Sequence, residues 1–144
     1  MKTVVIALLT FLLRVGLATV FLFAAFSKFN GWGASVDLFR QLDMEPTGRY
    51  LIATLEGVSA LLILFPLTVP TGALLGWGLM TGALLAHFTK VGVAGAMLPL
   101  TLTAFAAWLA SMLLLFLRRD QVGFIRHMFD CGKKEEDSPN REGH

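Results

Sequence analysis

Residues 4–27 read VVIALLTFLLRVGLATVFLFAAFS, an apolar run interrupted only by Arg14. A helix rises about 1.5 Å per residue, so about 20 apolar residues are needed to cross a bilayer core of about 30 Å. This run meets that length. The core of a secretory signal is shorter and carries no arginine at its centre, so a retained membrane helix is expected here. Three more runs follow the same rule. Residues 51–69, LIATLEGVSALLILFPLTV, are broken only by Glu56. Residues 71–88 carry no fixed charge and place His87 near their end. Residues 97–117 stop abruptly at Arg118 and Arg119. The expected fold is all-α, an integral membrane bundle of four helices.

Composition excludes several function classes. The 144-residue chain is 56% hydrophobic and only 15% charged, against about 25% charged in a soluble domain. The formal charge of +2 and the lack of a long basic run give no footing for a nucleic-acid partner. Cys131 is the only cysteine, so no intrachain disulfide, CxxC redox pair or cysteine-only metal site can form. No metal site is expected, and no phosphate-binding loop, dinucleotide motif or nucleophile elbow occurs. A two-histidine haem site is equally unsupported, because His87 is the only histidine in an apolar run.

The connections differ in kind. Residues 30–50 mix Trp32, Val36, Leu38, Phe39 and Leu42 with Asp37, Arg40, Asp43 and Glu45. That mixture predicts a short amphipathic helix at the membrane interface, between the first two spans. Pro66 and Pro70 predict a sharp turn between the second and third spans. Residues 89–96 form a short Gly-rich link. One transmembrane domain is expected over residues 1–119, followed by a polar cytoplasmic tail over 120–144. Within it GKKEEDSPNREGH, residues 132–144, has the composition of disorder. Lys2, Arg118, Arg119, Arg126, Lys133 and Lys134 flank the bundle on one side, against Lys28, Arg40, Arg49 and Lys90 on the other. That bias places both termini in the cytoplasm.

An ionisable group inside a bilayer is costly and is a functional-site candidate by default. Four qualify: Arg14, Lys28, Glu56 and His87. Helical side chains lean toward the helix N-terminus. Lys28, at the end of the first span, therefore leans into the membrane, and Glu56, on the antiparallel second span, leans out toward it. The two are expected to meet, with His87 at the same outer end. Arg14 lies about 20 Å from Lys28 along the first helix. Trp108 is expected beside it, in reach of a cation–π contact. Arg14 and Lys28 share a helix face with Thr10, Ala18, Phe21 and Ala25, which should point inward.

Each candidate also has a plainer reading. Lys28 serves equally as an interfacial anchor, His87 as an interfacial residue without a ligand, Glu56 as half of a structural ion pair, and Arg14 as a donor to backbone carbonyls. Gly72/Gly76 and Gly78/Gly82/Ala86 have small-xxx-small spacing, which serves internal packing or helix association between copies. Trp32, Trp77 and Trp108 read as packing or interfacial residues, with Trp32 and Trp108 the ones that could line a polar site.

The stretch RVGLATVFLFAAFSKFNGW, followed by LEGVSALLILF and then ALLAHF, resembles the DoxX-like family of small four-helix membrane proteins, related to the DoxD and MauE-like groups. The resemblance covers roughly residues 10–117. Its most specific part is the Arg…Lys stretch followed by an intramembrane Glu. Family members often carry Gly where this chain has Ala18 and Ala25, small-for-small departures that preserve packing. The resemblance implies that Arg14, Lys28, Glu56 and His87 occupy the family's recurring polar positions. Members are linked to membrane redox systems such as thiosulfate:quinone oxidoreduction, or act as partners of other membrane proteins. The expected function is a non-catalytic subunit or assembly partner of a quinone-linked redox complex in a bacterial inner membrane. Its partners would be the lipid bilayer and an oxidoreductase subunit or other membrane protein, and its ligand a quinone or a lipid headgroup. Assembly with further copies of itself is compatible with this. Two alternatives stand beside it. One is a proton-linked or small-molecule transporter, although the chain shows no inverted repeat and no pair of broken helices. The other is a pure scaffold or chaperone.

Overall fold

The computed structural model describes residues 2–92 and 95–118. Five α-helices occur among them: α1 Lys2–Phe29, α2 Gly33–Gln41, α3 Thr47–Leu64, α4 Val69–Ala86 and α5 Leu98–Leu117. A π-helical turn, His87–Val91, extends α4, and a 3-10 turn, Gly95–Met97, leads into α5. Four segments are long and apolar enough to span a membrane: Val4–Phe29, Thr47–Leu64, Val69–Val91 and Leu98–Leu117. The protein is a multi-pass membrane protein built as an all-α bundle. The tail expected over 120–144 lies outside the described residues.

The second span starts four residues before its expected position and ends at Leu64 rather than 69. Pro66 explains the early end, because the residue before a proline is pushed out of the helical region. Phe65 is accordingly extended, at ψ 125°. Pro70, expected in the turn, instead lies in the first turn of α4. Its missing N–H is no loss there, since first-turn donors have no intrahelical partner.

The bundle is held by α1 against α3, α3 against α4 and α4 against α5, with a thinner contact between α1 and α5. Its core gathers Leu17, Ala18 and Phe21 of α1 with Ala60 and Ile63 of α3, Ala73 and Met80 of α4, and Ala104, Ala107 and Leu114 of α5. Phe21 is fully buried. Its ring fits because residue 76 is glycine: a Cβ there would stand 2.6 Å from Phe21 Cζ. At Gly72 a Cβ would stand 2.7 Å from the Ile63 backbone nitrogen, and Ser59 Oγ donates to the Gly72 carbonyl at 2.8 Å. The α3–α4 hairpin is therefore closed at backbone distance. Large apolar side chains such as Leu8, Phe11, Phe23, Leu61, Leu74 and Phe105 remain exposed on the outside. An apolar exterior is the inverse of a soluble surface and fits a lipid solvent.

Two chain reversals share one geometry. At the end of α1 the Trp32 N–H bonds the Ser27 carbonyl and the Gly31 N–H bonds the Lys28 carbonyl, with Gly31 at φ 64°. At the end of α2 the Met44 N–H bonds Phe39 and the Asp43 N–H bonds Arg40, with Asp43 at φ 57°. Both are Schellman caps, which need a left-handed residue after the helix. Helix α2 is amphipathic as expected. Ser35 and Phe39 are buried, while Asp37 and Arg40 are exposed and 3.7 Å apart.

Candidate functional site

The polar residues of the bundle separate into three places. The first joins α1 to α3. Lys28 Nζ donates to both carboxylate oxygens of Glu56, at 2.8 and 2.9 Å. Glu56 is 2% exposed and the Lys28 side chain 13%. Sequence reasoning anticipated this contact from the opposed lean of the two side chains. It missed the second layer of the network. Arg49, 6% exposed, gives Nε to both oxygens of Glu45 at 2.9 Å and Nη2 to one of them at 2.9 Å. Its Nη1 donates to the Lys28 backbone carbonyl, and its guanidinium lies over the Tyr50 ring, 4.5 Å from the centroid. Lys28 is thus held twice, through its ammonium by Glu56 and through its carbonyl by Arg49. The signal for the outer layer was present: Glu45 and Arg49 are spaced i,i+4 with the acid N-terminal, the favourable orientation. The two cations face two carboxylates, so the network is balanced and its strongest hydrogen bonds are internal.

The second place is Arg14. Its Nε donates to the Ile63 carbonyl at 3.0 Å and its Nη2 to the Leu64 carbonyl at 2.6 Å. The last carbonyls of a helix have no intrahelical partners. Arg14 supplies two such partners to α3, and the Thr68 hydroxyl supplies one to Leu62 at 2.7 Å. The expected stacking of Arg14 on Trp108 is not among the described ring contacts. The Trp108 Nε1 donates to Thr81 Oγ1 at 3.0 Å, and its ring packs on Trp77 and Phe105. Trp108 therefore belongs to the α4–α5 contact. Trp32 stands at the surface, edge-on to Phe23 at 5.4 Å.

The third place is His87. Neither ring nitrogen bonds the Lys28–Glu56 pair. Nδ1 lies 2.8 Å from the Ala83 carbonyl of its own helix, and Nε2 is buried with no hydrogen-bond partner. The expected convergence of Lys28, Glu56 and His87 therefore reduces to the ion pair. The histidine instead lines a groove of about 900 Å³ between α2, α4 and the π-turn. Leu38, Phe39 and Leu42 form one side. Gly78 and Gly82 form the other, and a Cβ at either would meet nothing within 4 Å. The two sets of small residues on α4 thus divide their labour. Gly72 and Gly76 admit neighbouring parts of the bundle, while Gly78 and Gly82 leave space. A smaller groove of about 560 Å³ runs between α1 and α5 past Gly16 and Ala106. No cluster of three or more His, Cys, Asp or Glu side chains suited to a metal occurs among the described residues.

No curated protein and no solved structure matches the chain. A family model described as the DoxX-like family matches residues 12–111, which take in Arg14, Lys28, Glu56 and His87 together with most of the four spans. The chain belongs to the DoxX-like family.

Proposed function

We propose that this protein is a non-catalytic subunit, or assembly partner, of a quinone-linked redox complex in a bacterial inner membrane, with both termini in the cytoplasm. The observation that carries the reading is the groove beside α4. It is lined mainly by apolar side chains, is large enough for an isoprenoid-type amphiphile, and contains one buried ring nitrogen without a partner. Small-molecule sites have this make-up, an apolar body with few polar groups. The charged residues support the non-catalytic part. Arg14, Lys28, Glu56 and Arg49 spend their hydrogen bonds on one another, on Glu45 or on backbone carbonyls, as a scaffold would.

Purification from native membranes in a mild detergent tests the proposal, with mass spectrometry of co-purifying proteins and of extracted lipophilic molecules. The expected result is an oxidoreductase subunit at near-stoichiometric level together with a quinone species. A pure oligomer of this chain, with neither, overturns it.

A further inference from the structure

The hydrogen-bond state of His87 decides what kind of head group the groove can hold. Nδ1 lies 2.8 Å from the Ala83 carbonyl oxygen, which can only accept. Nδ1 must therefore carry the proton. In a neutral imidazole the other nitrogen is then a bare lone pair. That nitrogen, Nε2, is buried and has no donor. The backbone that carries the ring is fixed on both sides. Ala83 also receives the His87 backbone N–H, and the His87 carbonyl accepts the Gly92 N–H at 2.8 Å across the π-turn. A buried acceptor without a donor is costly, so the site is poised for a ligand that donates.

We infer that the groove binds an amphiphile headed by a hydroxyl group, a hydroquinone rather than the corresponding quinone, with His87 Nε2 accepting its hydrogen bond. This rests on the groove reading proposed above and goes further, because it selects one redox form of the ligand. The neighbouring polar side chains agree with it. The Thr89 hydroxyl is already given to the Leu85 carbonyl at 2.6 Å. Lys90, at the same end of the groove, is a donor only. A hydroxyl group donates to Nε2, whereas a carbonyl oxygen can only accept and leaves Nε2 bare. The lining along α4 extends from Thr71 to Lys90, about 28 Å, which accommodates an apolar tail. Nε2 is shielded from water by its neighbours, so the head reaches it by displacing a side chain of the groove lining, of which Leu38 and Leu42 are only half-buried.

The test uses the full chain in lipid nanodiscs, under anaerobic conditions, with three probes: decylubiquinol, decylubiquinone and the dimethyl ether of the quinol. The ether keeps the shape and removes both O–H donors. The expected result is that the quinol binds at least about tenfold more tightly than the other two. His87→Phe should bring the three within about twofold of one another. Gly82→Leu, which fills the groove, should weaken all three. Equal affinities that remain sensitive to Gly82→Leu overturn the hydroxyl inference and leave the groove reading standing. Tighter binding of the quinone overturns it as well, since Nε2 would then be a donor. Binding of none of the three removes the groove reading itself. Should His87→Phe fail to fold, the quinol–ether comparison on the parent protein still decides.

Discussion

Glu56 has both oxygens on one ammonium and almost no exposure, so neither partner of the pair has a substitute. Breaking a buried ion pair from one side strands a charge and costs about 3–5 kcal/mol, whereas replacing both partners by apolar groups can be nearly neutral. Lys28→Met and Glu56→Leu should therefore each destabilise the bundle by about that amount. The Lys28→Met/Glu56→Leu double variant should lose less than either single. Denaturant unfolding in mixed micelles reads this, and additive losses would show the pair to be uncoupled. At this scale the sequence was legible where depth and side-chain lean decide, as for Lys28 and Glu56. For Arg14 it offered backbone carbonyls as the plainer reading without saying which, because every residue has a carbonyl and only the fold leaves those of Ile63 and Leu64 orphaned beside it. For His87 it indicated the end of the span but not where the ring turns, for a related reason. The direction of that ring depends on how α4 is rotated against its neighbours, which hydropathy does not encode.

Helix α4 combines a closed face and an open one, and the two respond differently to added volume. Gly72→Ala would drive a methyl group to 2.7 Å from backbone, which cannot yield as a flexible side chain does. A loss of about 1–3 kcal/mol is expected. Gly78→Ala meets nothing, and alanine is the better helix former, so stability should hold or rise by up to about 1 kcal/mol. Thermal unfolding of the two variants side by side measures the contrast, and equal effects would contradict the packing described. The cap of α2 offers a gain instead. Asp43 occupies the left-handed position that glycine fills without strain. Relief of a left-handed cost of about 1–2 kcal/mol, partly offset by the entropy of glycine, should make Asp43→Gly stabilising in the same assay. The spans were legible as elements because apolar length is a one-dimensional property. Their ends were less so. Pro66 and Pro70 look alike in sequence, yet one terminates α3 and the other opens α4, because proline is unwelcome in a helix interior and at home in a first turn.

Seen whole, the molecule has an apolar exterior over four spans and polar networks at two levels inside it. The proposed orientation can be checked with the native Cys131, the only cysteine in the chain. A membrane-impermeant maleimide should leave it unlabelled in intact cells and label it after the membrane is opened. Labelling before opening would reverse the orientation. Arg14 carries a consequence for biogenesis. A chain made from its N-terminus presents α1 to the membrane before α3 exists, so the guanidinium enters with neither of its two carbonyl partners in place. An arginine at the centre of a span disfavours insertion by about 2.5–3.5 kcal/mol. The surrounding Leu, Ile, Val and Phe side chains outweigh that, but the young helix is left with a charge best relieved by sliding toward one leaflet. Synthesis of α3 removes the reason to slide. The depth at which the first helix finally sits is thus set by the second span, and a chain stalled between them is marked by an unanswered cation in the bilayer.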